Sequence, residues 1–364
     1  MKKSEFEGLP SIVLANGQIE LTILTGGGAM ASLVLLDDPQ KLNPLWNPIR
    51  LAREAGVKNE FGPSIGHFVC VDGFGPTSPE EKAAGLPFHG EAYAQRWEAR
   101  FSGKEGATTT LTFSAKLPLV EEVLTRTVRM VDGENVVYVE SQLESETAFD
   151  RPVCWAEHAT IGAPFLEPGV TAVDMSAHRA RARPHDPGEG ELHYRLASGK
   201  DFNWPMAPAL KGGRLDMRVS PKTGGVSDHT TCQMDPARKL VFVTALNPVR
   251  KRLLGYVFRR EDFPWLQSWE YYPVNGAWAR GLEFSTQPFD VPRREAIQMN
   301  ALFDTPTYRW LPARSRIGAR FLMFYANTPD GMRQIDDVRW EKGRLIIEDH
   351  TARKRVTLAA SLEL

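Results

Sequence analysis

Cysteine is scarce: the 364-residue chain has three, Cys70, Cys154 and Cys232, and no CxxC pair. That excludes a disulfide framework and a local zinc motif, and a reducing compartment fits best. An excess of charge of one sign is missing too, since 44 Lys and Arg stand against 45 Asp and Glu. Without a concentrated positive field, neither nucleic acid nor an anionic membrane surface is expected as a partner. No apolar run approaches the roughly 18 residues of a spanning helix. The first residues, MKKSEFEGLPSIVLANGQ, carry lysines without the apolar stretch of a secretory signal, so a soluble cytoplasmic protein is expected. P-loop, strand-borne GxGxxG and HExxH patterns are absent, so no nucleotide, redox or metal cofactor is called for. No repeat at a period of roughly 20–50 residues is visible, which disfavours a propeller or solenoid.

What the chain does have is 42% hydrophobic and 24% charged residues, enough to bury a large core. Most segments show the period of two of half-buried strands, punctuated by Gly, Pro, Asn and Asp. In residues 123–145, Val128 and Met130 lead into Asp132-Gly133-Glu134-Asn135. Val137, Val139, Ser141 and Leu143 then alternate with Tyr138, Glu140, Gln142 and Glu144, which predicts a hairpin with a wet outer face. Further strands are predicted at 19–24, 108–114, 240–246, 320–325, 344–348 and 355–360. Helical signals are short: Asn47-Pro48 opening a segment that Gly56 closes, and Ser78-Pro79-Glu80-Glu81 with a capping box. These helices are too short and few for repeated βαβ units. The expectation is an all-β single domain over residues 1–364, many antiparallel strands in stacked sheets, with 178–224 as a long loop excursion.

The residues that could carry chemistry are His67, His89 and His158, together with Asp228-His229 and Glu283. Glu283 stands between Leu282 and Phe284 in a strand-like segment. It either points outward on an edge strand or points inward, where burial disfavours its charged form and makes it a proton acceptor. Each histidine has a structural alternative, and Asp228 could cap a turn after Gly224-Gly225. Trp155, Trp265, Trp269 and Trp278 could each offer a stacking face or fill core. Arg179, Arg181 and Arg183 alternate along the chain and could hold a phosphate or carboxylate, or form a solvated loop.

In order along the chain, these islands resemble the aldose 1-epimerase (galactose mutarotase) family. They are a Gly-rich start, an early His-Gly at His89, a mid-chain His158 closing a strand, Gly-x-x-Asp-His ending at His229, and Ala-Arg-Gly-Leu-Glu283 after the Trp-rich FPWLQSWEYY. The resemblance runs from about Gly26 to Pro292. It implies a large antiparallel β-supersandwich with a few short surface helices, and an isomerase interconverting the anomers of a sugar. It further implies Glu283 as the base, His158 as the acid and His89 and Asp228 as substrate ligands, without metal or other cofactor. The region GPSIGHFVCVDGFG lacks the Asn-Arg pair with which the family grips its sugar, leaving His67 or Asp72 to substitute. Trp269 is a candidate stacking surface, and the partner is a small carbohydrate, an anionic one included. Two alternatives stand beside this: a carbohydrate-binding protein without turnover, and a metal-dependent enzyme drawing on His67, His89, His158 and Asp228.

Overall fold

A computed structural model describes residues 2–185, 192–276 and 278–364. Period-two patterning is realised as two large antiparallel sheets. The first holds twelve strands. Five lie at one end, Lys2–Phe6, Leu9–Ala15, Ile19–Leu24, Met30–Leu35 and His67–Val71. Next comes Trp155–Gly162, flanked in line by Ala279–Gly281 and Glu283–Ser285. Then follow Trp265–Tyr272, Val226–Met234, Ala177–Ala182 and Asp201–Asn203. The second sheet holds eight strands, among them the predicted hairpin Glu122–Val131 and Val136–Ser145. One continuous apolar cluster, from Leu14 through Trp155 and Phe284 to Tyr325, fills the space between them. The three cysteines are free and buried.

Both predicted helices form with the caps the sequence supplies. Pro48–Ala55 starts on the Asn47 side chain, which accepts from Arg50 N–H, and ends at Gly56 in the left-handed region. Pro79–Ala83 carries the full capping box between Ser78 and Glu81. A third helix, Arg293–Met299, has no side-chain cap, which explains why no start signal marks it.

Two expectations change. The outer face of Val136–Ser145 is wet only from Glu140 onward; Tyr138 is buried, because the C-terminal strands Asp337–Glu341, Arg344–Asp349 and Lys354–Ala359 form a small sheet whose apolar side covers it. The 178–224 stretch is not all loop: Ala177–Ala182 joins the large sheet by pairing with Val226–Met234, and three-residue strands follow at Asp201–Asn203, Met206–Pro208 and Arg214–Asp216. Strands that short carry too little alternation to read from sequence. Residues 186–191 of that stretch lie outside the described residues.

Between the sheets sits a charged network. His67 Nε2 is 2.9 Å from Glu157 Oε2 and Arg126 Nη2 is 2.5 Å from Glu157 Oε1, all three side chains fully buried. Although burial opposes it, Arg126 and His67 hold the Glu157 carboxyl below its ordinary range. Removing one member strands an uncompensated charge, so Arg126→Met should cost about 3–5 kcal/mol. The shift of the urea unfolding midpoint measures this, and a loss under about 1 kcal/mol would contradict the ion pair.

Candidate functional site

Register places the site. Antiparallel pairing sets His158 opposite Phe68. The pairs Ala156–Ser285 and Thr160–Gly281 continue one register, which brings His158 opposite Glu283. Glu283 faces Gln267, and two residues along that strand Trp269 faces His229. Side chains alternate across a sheet, so Phe68, His158, Glu283, Trp269 and His229 all project from one face. There they line a cavity of about 430 Å³, with His89, Asp290, Trp46, Phe61 and Phe88 completing its walls.

His158 Nε2 lies 3.4 Å from Glu283 Oε1, its Nδ1 lies 3.1 Å from Thr160 Oγ1, and its ring stacks on Phe68. The 3.4 Å contact is long for a hydrogen bond and leaves Glu283 Oε1 without a partner. Burial, reinforced by His89, pushes the His158 imidazole well below its ordinary value. Burial, reinforced by Asp290, pushes the Glu283 carboxyl well above its own. Both shifts favour the uncharged forms, a neutral imidazole beside a carboxylic acid. The two are neighbours on adjacent strands, not groups on opposite walls of the cavity.

His89 arrives from a loop, with φ of 66°. Gly90 beside it, φ 76°, bridges to Val71 so closely that a Cβ would strike the Val71 carbonyl. The Gly75 N–H donates to His89 Nδ1 at 3.0 Å, which leaves the ring proton on Nε2 as a donor. Its ring stands edge-on to His158, centroids 4.9 Å apart, and burial lowers its pKa to about 3.

Glu283 also depends on a missing side chain. Gly281, two residues earlier on the same face, leaves the space the carboxylate fills; a Cβ there would come within 2.7 Å of Glu283 Cδ.

The structure brings together His89, His158, Trp269 and Glu283, and turns two other candidates away. His67 projects into the core, bound to Glu157. Asp228 does the same one residue before His229, accepting from the Arg195 backbone at 2.9 Å and its guanidinium at 2.5 Å. Both corrections have one cause: neighbouring residues of a strand face opposite sides. What faces the cavity instead is His229, with Nδ1 3.4 Å from Asp290 Oδ1 and Nε2 unpartnered. Arg183 Nη1 holds the same Asp290 oxygen at 2.7 Å. Strand register singles out His229 from its neighbour Asp228, while Asp290, Trp46 and Phe61, which the sequence did not mark, come from loops. The alternate arginines do share a side, yet each is engaged, Arg181 by Asp201 at 2.5 Å and Arg179 over the Phe303 ring at 4.1 Å. Among the described residues, no three His, Cys, Asp or Glu side chains converge as metal ligands.

Solved structures with this arrangement of strands share little sequence with it. A Klebsiella pneumoniae protein proposed to be an aldose 1-epimerase superposes with a TM-score of 0.63 at 12% identity, over 89% of this chain and 82% of its own. A galactose mutarotase-like protein of Clostridium acetobutylicum gives 0.61 at 11% identity, over 90% and 98%. The chain has the galactose mutarotase-like fold. A galactose mutarotase related enzyme of Lactobacillus acidophilus gives 0.54 at 12%, over 89% and 99%. No family model and no curated protein sequence matches the chain. The mutarotase-like fold thus agrees with the supersandwich expected from the sequence.

Two predictions follow from the site's geometry. Gly281→Ala should displace the Glu283 carboxylate while leaving the sheet intact, which a crystal structure of the variant would reveal; an unmoved carboxylate would contradict the steric account. His89, with its folded pKa depressed, contributes stability that is present above its unfolded value and lost as pH falls, by up to about 1.4 kcal/mol per pH unit. The melting temperature should therefore drop between about pH 6.5 and pH 5, and less steeply in His89→Gln. Equal slopes would show that His89 is not held neutral.

Proposed function

We propose that the chain is an aldose 1-epimerase-like isomerase, interconverting the anomers of an uncharged sugar. The observation that carries this reading is the buried His158–Glu283 contact at 3.4 Å in an aromatic-walled cavity. Mutarotation removes a proton from the anomeric hydroxyl and adds one to the ring oxygen. Both oxygens are bonded to the same carbon, so an acid and a base side by side suit it better than groups across a ring. Burial favours the proton on Glu283 over His158. On opening, Glu283 gives its proton to the ring oxygen as the bond from that oxygen to the anomeric carbon breaks, and His158 Nε2 takes the proton of the anomeric hydroxyl. An open-chain aldehyde results. After rotation about the adjoining carbon–carbon bond, closure onto the other face returns both protons, with Glu283 now the acceptor and His158 the donor. The family resemblance pairs the oxygens the other way, Glu283 with the anomeric hydroxyl and His158 with the ring oxygen; in either pairing each residue is acid in one direction and base in the other.

His89 supplies its Nε2–H to a sugar oxygen, and Trp269 and Trp46 offer apolar faces to the ring's C–H side. The carboxylates of Glu60 and Asp290 line the cavity, while the nearby Arg183 is already held by Asp290. A phosphate or uronate would meet carboxylates without a free cation, which favours an uncharged substrate.

One observation favours a second reading, a sugar-binding protein without turnover: among the described residues, no Asn or Arg lines the cavity. Polarimetry on freshly dissolved neutral hexoses separates the two. Turnover predicts accelerated anomer exchange that Glu283→Gln and His158→Gln each lower by about 10²–10⁴-fold. An exchange rate at background, with sugars still raising the melting temperature, would instead establish binding alone.

A further inference from the structure

On the second sheet lies a groove of about 400 Å³ walled by arginines from three elements together with Glu140 and Gln142 of Val136–Ser145. Arg259 ends the strand Arg252–Arg259, Arg309 begins Arg309–Leu311, and Arg316 and Arg320 lie on one side of Arg316–Asn327. Lysine is absent from this lining, and so is any aromatic ring.

Their charge is under-compensated. Asp262 takes Arg259 through both oxygens, at 2.8 and 3.0 Å, and stands 3.6 Å from Arg309. Arg259 also meets the exposed Glu261 at 3.2 Å. Glu140 is shared between Arg320 at 3.0 Å and Arg129 at 3.3 Å. Arg316 stands opposite Glu144 in the neighbouring strand and forms no ion pair among the described residues. Arg309 is mostly sequestered from water, held by the Gly318 carbonyl at 3.0 Å, and burial together with Arg259 depresses its pKa. A half-buried guanidinium with only a shared, distant carboxylate is costly unless a further anion completes the site.

The groove also has an open floor. Gly318 lies between Arg316 and Arg320 on the same face, and the nearest atom to a Cβ built on it is the Ser141 carbonyl at 3.5 Å, an ordinary contact. Its φ is not in the left-handed region, so the backbone does not call for glycine there. What the missing side chain does is leave space between two guanidinium groups.

We propose that this groove binds the phosphate group of a small phosphomonoester. Planar guanidinium forks from Arg316, Arg309 and Arg320 match phosphate oxygens in pairs, which ammonium groups do not. The volume exceeds a bare phosphate and admits a short polyol. The absence of aromatic rings gives a nucleobase no stacking surface. The site is independent of the His158–Glu283 chemistry and would stand if that reading failed.

Titration calorimetry on the full chain at constant ionic strength tests it, with glycerol 3-phosphate, inorganic phosphate and chloride as probes. Saturable binding of glycerol 3-phosphate is expected, weaker binding of inorganic phosphate, and none of chloride. Arg316→Gln should weaken the phosphomonoester about tenfold. Gly318→Leu, which fills the floor and leaves every charge in place, should abolish binding without altering the circular dichroism spectrum. Absence of saturable binding at millimolar ligand would overturn the proposal, as would undiminished binding in Gly318→Leu. Equal affinity for inorganic phosphate and the monoester would reduce the ligand to a free oxyanion and overturn the assignment to a phosphomonoester.

Discussion

The antiparallel register that holds the Trp155–Gly162 strand between its neighbours is the constraint on which the site depends. A pleated strand sends successive residues to opposite sides, so a slip of one residue would exchange His158 for Glu157 and Glu283 for Leu282 or Phe284. With the observed pairing, the cavity face carries Phe68, His158, Glu283, Trp269 and His229, while the core face carries His67, Glu157, Asp228 and Glu270. Proton chemistry and structural ion pairing are thus divided by alternation alone, within the same few strands.

The core face helps to hold that register. Behind His158 lies the Arg126–Glu157–His67 network. Behind Trp269 and His229 lies a second one, with Arg195 reaching Asp228 at 2.5 Å and Glu270 at 2.7 Å, and Arg280 reaching Glu270 at 3.3 Å. Buried ion pairs add little net stability over an apolar core, but they penalise any arrangement that parts their members. A slip of either strand would strand charges between the sheets. The site's polar residues can therefore remain unpartnered, as Glu283 Oε1 and His229 Nε2 are, because their placement is enforced from the other side of the sheet.

Fold class was legible because long strands such as Glu122–Val131 keep strict alternation, and because two helices carry complete caps. The short strands after Ala177 were not, since three residues give no period, and neither was the uncapped helix Arg293–Met299. Within the site, His89, His158, Trp269 and Glu283 could be picked out by chemistry and order. His67 and Asp228 could not be sorted from their neighbours Phe68 and His229, because sequence names the alternation without saying which phase faces the core. Asp290 enters from a loop, and its link to Arg183 joins residues 107 positions apart, a pairing no local pattern encodes.

The account turns on burial making His158 and Glu283 a neutral pair that shares one proton. Nitrogen NMR of the His158 ring, followed in the sugar-free protein from about pH 8 to pH 5, tests this most directly. The account predicts neutral-imidazole shifts throughout that range. An imidazolium forming with an ordinary midpoint near 6.5 would contradict it.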